Sequence, residues 1–252
     1  MQNQGGAGLD GYAISPLNSL AGPTLLGGMS TSPSPKAPLR LVMFDFDGTL
    51  ADSIPLVVAA FQRMHERLGL PVPTEGEVRG MFGPSEDGIL QRHLPDRWEE
   101  ALLVYLAEYE AAHDAMLPAL FEGVPELLAE LHEAQVGVAL ITGKGPGTSA
   151  ISLARLDLLG EFDYVRMGEP EGCRKQQHIA EVMAEAGVAP NECAYIGDAP
   201  GDMRATLACG VVAVGAAWAA TANPDELREA GAQHLFTTWN EFCAWLHGAV
   251  QS

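Results

Sequence analysis

From Leu39 onward the chain alternates between short apolar runs and longer stretches whose apolar residues recur three and four positions apart. Leu39-Arg40-Leu41-Val42-Met43-Phe44 is mostly apolar and ends at an acidic, glycine-containing turn. Similar runs occupy Val136 to Ile141, Cys193 to Ile196 and Val211 to Val214, with a weaker one from Tyr164 to Met167. Runs that are continuously apolar, rather than alternating, suit strands buried on both faces of a parallel sheet. Helix-period segments lie between them, among them Val124 to Ala134 and Gln176 to Ala186. The first opens on Gly123-Val124-Pro125-Glu126, with proline in its first turn, and the second stops at Gly187, a good helix end. Strand, helix, strand, helix predicts an α/β fold with a doubly wound parallel sheet.

Residues from about 54 to 117 interrupt this rhythm and contain no convincing strand. Ile54 to Leu68 is amphipathic and ends at Gly69, and Glu99 to Leu117 is a second helical stretch. Gly80, Gly83-Pro84 and Gly88 between them suit short helices joined by turns. The expectation is a small α-helical cap over 54–117, inserted into an α/β core made of 39–53 and 118–248. Residues 1–38 are rich in Gly, Ser, Pro, Ala and Asn without a period of 2 or 3.6, which predicts a disordered tail. Met29 offers an alternative start.

Charge narrows the partners. The 14 basic residues face 33 acidic ones, for a net charge of −19. Such a field repels a phosphate backbone and anionic lipid, which argues against nucleic acid and membrane surfaces as partners. An anionic substrate must be drawn in locally, by a metal and a few cations. The four cysteines, Cys173, Cys193, Cys209 and Cys243, form no C-x-x-C spacing and read as reduced thiols. No apolar run is long enough to span a bilayer, and no basic segment precedes an apolar one at the N-terminus, so the expected location is cytoplasmic. Composition leaves monomer or homodimer open.

Chemistry collects at the ends of the apolar runs. Asp45 and Asp47 follow the first, Thr142, Gly143 and Lys144 the second, and Gly197, Asp198 and Asp202 the fourth. In an open parallel sheet the carboxyl ends of the strands share one edge, where ligands bind at the switch in strand order. These distant groups should therefore converge into three or four carboxylates, a hydroxyl, at least one lysine and several glycine-flanked N–H groups. Carboxylates so close repel and raise one another's pKa. A hard divalent cation resolves that conflict, and Mg²⁺ suits a few carboxylates with water and a phosphate. The hydroxyl, Lys175 and backbone N–H groups are then available to phosphate oxygens.

Phe44-Asp45-Phe46-Asp47-Gly48-Thr49-Leu50, Ile141-Thr142-Gly143-Lys144 and Gly197-Asp198-Ala199-Pro200-Gly201-Asp202-Met203 resemble, in order and spacing, the motifs of the haloacid dehalogenase superfamily, whose core is Rossmann-like. The resemblance covers about residues 39 to 240. It implies that Asp45 attacks phosphorus and that Asp47 first protonates the leaving oxygen and then activates water. It implies Mg²⁺ on Asp45, the Asp47 carbonyl, Asp198 and Asp202, and phosphate on Thr142 and the N–H groups of Phe46 and Gly143. Lys175 is the expected cation of the third motif, with Arg174 and Lys144 as rivals, because Gly172-Cys173-Arg174-Lys175-Gln176-Gln177 departs from the Lys-Pro-x-Pro of many relatives. On that resemblance Asp47 favours phosphate ester or anhydride hydrolysis over dehalogenation, since halide leaves unprotonated. The insertion contains no lysine, which disfavours phosphorus–carbon cleavage on the same resemblance.

The insertion begins Ala51-Asp52-Ser53-Ile54-Pro55, which resembles phosphoglycolate-phosphatase-like relatives. Around Val78 to Glu86, the candidate substrate contacts are Arg79, Phe82, Ser85 and Glu86, with Arg92 beyond. A turn with a solvated arginine is the plain alternative. The expected substrate is a small phosphorylated metabolite, phosphoglycolate-like. A pyrophosphatase, a nucleotide phosphatase, a phosphomutase and a non-enzymatic phospho-ligand module stay open.

Overall fold

A computed structural model describes residues 37–117 and 119–251. Most of the expected tail therefore lies outside the described residues. Six strands, β1 (Leu41–Phe44), β2 (Gly137–Ile141), β3 (Tyr164–Arg166), β4 (Cys193–Gly197), β5 (Val212–Ala216) and β6 (His234–Phe236), form one sheet in the order β3-β2-β1-β4-β5-β6. Every neighbouring pair is parallel. β1 pairs with β2 on one side and β4 on the other, so the strand order reverses there. In the register, Phe44 lies beside both Leu140 and Ile196.

The continuous apolar character of β1 is explained by cover on both faces. Val42 and Phe44 join a cluster with Leu127 and Leu131 of α5 (Val124–Glu133) and Phe242 and Leu246 of α10 (Trp239–Val250). Leu41 and Met43 point the other way, onto Ile179 and Val182 of α7 (Lys175–Ala186). Successive side chains alternate faces, and both faces here are dry. α7 stops at Gly187 in the left-handed region, φ 65°, as its glycine suggests.

Between β1 and α5 the chain forms α1 (Ile54–Arg67), α2 (Glu75–Gly80), α3 (Glu86–His93) and α4 (Trp98–Met116), with no strand among the described residues. Thr74 caps α2 through a capping box with Glu77. Phe61 of α1 meets Tyr105 of α4 at 4.5 Å between ring centroids. The apolar cluster on the Val42 face runs unbroken into Phe61, Tyr105 and Tyr109. α4 also touches α6 (Pro146–Arg155): the Tyr109 hydroxyl and Ser152 Oγ lie 2.8 Å apart, and His113 Nε2 is 3.2 Å from the same oxygen. The remaining α-helices among the described residues are α8 (Pro200–Ala208) and α9 (Pro224–Glu229). No helix among the described residues is long and apolar enough to cross a membrane.

The sequence pattern missed β6. It is three residues long, holds a histidine, and gains strand geometry only by pairing with β5 at the sheet edge. Three residues are too few for a periodic signal.

Candidate active site

Asp45 follows the last residue of β1, at the reversal of strand order, and its backbone N–H donates to Ile196 O across the sheet at 2.9 Å. The chain then turns sharply. Gly48 adopts φ 70°, and a Cβ there would sit 2.1 Å from Asp198 Oδ2, so glycine is required both for the turn and for the approach of Asp198. Gly197 repeats the device, since its Cβ would meet Asp202 Oδ2 at 2.2 Å.

These close approaches draw three carboxylates together. Asp45, Asp198 and Asp202 each present an oxygen within 4.8 Å of the others. Lys175, the first residue of α7, donates to Asp45 Oδ2 at 2.6 Å and to Asp202 Oδ1 at 2.5 Å. Asp45 Oδ1 accepts the Phe46 N–H at 2.7 Å. Asp202 Oδ2 accepts the Ala199 N–H at 3.3 Å, so the residue also serves the start of α8.

Electrostatics follow from this crowding. Burial, with the charges of Asp202 and Asp47, raises the Asp45 carboxyl to about 6 against the pull of Lys175. Burial and the charges of Asp45 and Asp202 hold Asp198 well above the carboxylate range. Burial opposes the charge of Lys175, but Asp202 and Asp45 overcome it and raise its pKa. One ammonium for three crowded carboxylates leaves a negative cluster whose oxygen donors fit a hard divalent cation.

Asp47 stands apart from that cluster. Its Oδ1 accepts from Lys144 Nζ at 3.1 Å and is also bonded by the Ser53 hydroxyl. Lys144 is buried beneath two rings, 4.9 Å from the Tyr109 centroid and 5.5 Å from that of Phe46. The arrangement is divided: one lysine serves Asp45 and Asp202, the other Asp47.

The chain matches the family model of the haloacid dehalogenase-like hydrolases over residues 42–216. It belongs to that family. Solved structures share the fold. A haloacid dehalogenase-like hydrolase from Streptococcus pneumoniae superposes with a TM-score of 0.67 and 25% identity, covering 82% of this chain and 98% of its own. The Rhodobacter sphaeroides protein CbbY shares the fold at TM-score 0.70 and 19% identity, over 83% of this chain and 99% of that one. Among curated relatives, the phosphoglycolate phosphatase of Pseudomonas putida is 32% identical over 70% of this chain and 68% of its own. The tyrosine-protein kinase PtkA of Mycobacterium tuberculosis is 31% identical over 73% of this chain. The match spans 64% of PtkA's length. These relatives share a family but not one named activity.

Within this haloacid dehalogenase-like core, the three motifs quoted from the sequence do meet at one edge of the sheet. Lys175, not Arg174, reaches Asp45; Arg174 is turned outward onto Glu169 and Gln177. Thr142 is buried, its Oγ1 accepts the Lys144 N–H at 3.2 Å, and its own N–H donates to Arg166 O at 3.0 Å, while Gly143 lines the cleft. The cleft, about 740 Å³, reaches from Asp45 and Lys175 to Arg79 and Phe82 of the insertion. Arg79 pairs with Glu75 at 2.8 Å, and Arg92 donates to Glu171 O at 2.8 Å.

Glu86 differs from expectation. It touches the cleft, but its Oε2 accepts the Gly145 N–H and its Oε1 the Thr148 hydroxyl, each at 2.6 Å. Both oxygens are committed to the core rather than free for substrate. Ser85, another expected contact, is buried and bonds Asp87. Sequence reasoning missed Ser53, although it stands in the quoted string after Leu50, and it undervalued Lys144. It also missed Thr221, Asn223 and Glu226, which line the cleft from beyond β5 and carry no local signal.

Proposed function

We propose that this protein is a Mg²⁺-dependent phosphomonoesterase of small phosphorylated metabolites, with a phosphoglycolate-like substrate as the leading choice. One observation carries the reading: a buried aspartate at the end of β1, bonded to Lys175, two residues before a second aspartate held by a different lysine. Asp45, Asp198 and Asp202, with the Asp47 carbonyl, are the residues that would hold the ion. When bound, Mg²⁺ supplies positive charge for the crowded carboxylates and for phosphoryl oxygens.

The rest is the work of this chain's own groups. An Asp45 carboxylate oxygen attacks phosphorus as the bond to the leaving oxygen breaks, and Asp47 gives that oxygen its proton. Asp47 then takes a proton from water, the water oxygen attacks phosphorus, and the aspartyl bond breaks to return Asp45 and release phosphate. Lys175 balances charge on Asp45 throughout and on the phosphoryl group in flight. Lys144 and Ser53 hold Asp47 in place through one oxygen, which leaves the other for the leaving group. The insertion, acting as a cap, limits water and favours small substrates.

The test is phosphate release from a panel of small phosphorylated metabolites, with and without Mg²⁺. Asp45→Asn should lower Mg²⁺-dependent turnover by at least about a thousandfold. Retention of near wild-type turnover by that variant would sink the assignment. Likeness to PtkA supports a second reading, transfer of phosphate to a protein tyrosine. Incubation with ATP, the protein and a tyrosine-containing polypeptide, read by anti-phosphotyrosine, separates the two.

A further inference from the structure

Glu86 makes an unusual pair of bonds for the first residue of a helix. It opens α3 in the insertion, yet both its oxygens leave that helix and reach the start of α6 in the core, to Gly145 N–H and Thr148 Oγ1. α6 needs such a partner. It begins Gly145-Pro146, so its N-cap has no side chain and its first turn lacks one N–H. A carboxylate is well placed at a helix N-terminus, where orphan donors and the macrodipole both favour negative charge.

The fit of the start of α3 against the core is close. A Cβ at Gly145 would lie 2.6 Å from Glu86 Oε2, and one at Gly88 would lie 2.3 Å from Pro170 O. Ser85 N–H donates to Glu169 O at 3.1 Å. One turn of α3 is thus seated on two core segments, the turn into α6 at 143–148 and the loop 169–171. Gly145 also directly follows Lys144, whose ammonium holds Asp47. The position of the insertion and the position of the acid therefore share one backbone turn.

We propose that Glu86 is a positioning residue that latches the insertion over the cleft by capping α6, and so sets the Thr142–Gly145 turn that carries Lys144. It does not contact substrate. A buried carboxylate is tolerated only while bonded, so Glu86 is either engaged with α6 or exposed to water, which gives closure two discrete states. The kinetic consequence rests on the phosphomonoesterase reading; the structural one does not.

Two measurements on the full chain test it. With p-nitrophenyl phosphate and Mg²⁺, Glu86→Ala and Thr148→Val should each lower kcat, Glu86→Ala by about tenfold or more, with KM within about twofold of wild type. The double variant should be no worse than Glu86→Ala alone, because Glu86→Ala already removes the bond that Thr148→Val breaks. Glu86→Gln should recover much of the loss, since its amide oxygen still accepts from Gly145 and its nitrogen faces a hydroxyl that can accept. Multiplying losses in the double variant, or a change mainly in KM, would overturn the latch in favour of a substrate contact. Hydrogen exchange is read in parallel. Glu86→Ala and Thr148→Val should speed exchange at residues 85–93 and 143–149 while β4 and β5 stay protected. Unchanged exchange at both segments in both variants overturns the proposal. If wild type fails to release phosphate from any substrate, the phosphomonoesterase reading fails, and the exchange result still decides the latch.

Discussion

At the scale of single residues, the site is organised by where carboxylates are allowed to come close. Asp45, raised to about 6, is protonated below that pH and ionised above it. A metal competes with that proton, so apparent Mg²⁺ affinity should fall as pH drops through about 6, approaching tenfold per unit below it. Mg²⁺-induced shifts in Tm at pH 7.5, 6 and 5 measure this, and an equal shift at all three counts against Asp45 as a ligand. Gly48 supplies a second residue-level check. Its φ of 70° and the 2.1 Å approach of a Cβ to Asp198 leave no room for alanine. Gly48→Ala should push Asp198 out of the cluster and weaken Mg²⁺ binding by roughly 10–100-fold. A Mg²⁺ titration followed by calorimetry checks it.

At the scale of elements, the side chains that gather around Asp45 are presented by the ends of strands or the starts of helices, where backbone groups are unpaired. α7 is bounded on both sides: Lys175 opens it inside the site, and Gly187 closes it in the left-handed region. No atom lies within 4 Å of a Cβ built on Gly187, so substitution there meets strain without collision. Gly187→Ala should destabilise the protein by about 1 kcal/mol through backbone strain alone and leave kcat unchanged. Denaturant unfolding reads the first effect and steady-state kinetics the second. A fall in kcat would mean that the end of α7 reports back to Lys175.

At the scale of the whole molecule, a net charge of −19 surrounds a cleft proposed to take an anion. Encounter therefore works against the long-range field, and Lys144, Lys175 and Arg79 act only at short range. Salt shortens that field to about 10 Å at 0.1 M. Raising NaCl from low ionic strength should lower KM for a dianionic phosphate ester while kcat holds. A KM that rises with salt would show that local cations dominate capture. The insertion matters at this scale too. It shares one apolar cluster with the sheet, so moving it off the core exposes apolar surface as well as breaking the polar contacts of Glu86.

The frame of the fold and the residues of the candidate site were legible in the chain's own pattern. Continuous apolar runs predict buried parallel strands, and aspartates at their ends must meet at one edge, because parallel strands all point the same way. The Asp45, Asp47, Asp198 and Asp202 motifs were legible for that reason, and helix ends at Gly69 and Gly187 were legible from residue type. How the groups divide among partners is set by packing. Lys175 and Arg174 are neighbours with similar charge, and only the orientation of α7 sends one to Asp45 and the other to solvent. Lys144 looked a weak rival until burial put it on Asp47. Glu86 resembled a substrate contact until packing tied it to α6, across a separation in sequence that no local pattern spans. Residue type and period are local properties, whereas the choice of partner for a charge depends on which distant segments packing brings within hydrogen-bond reach.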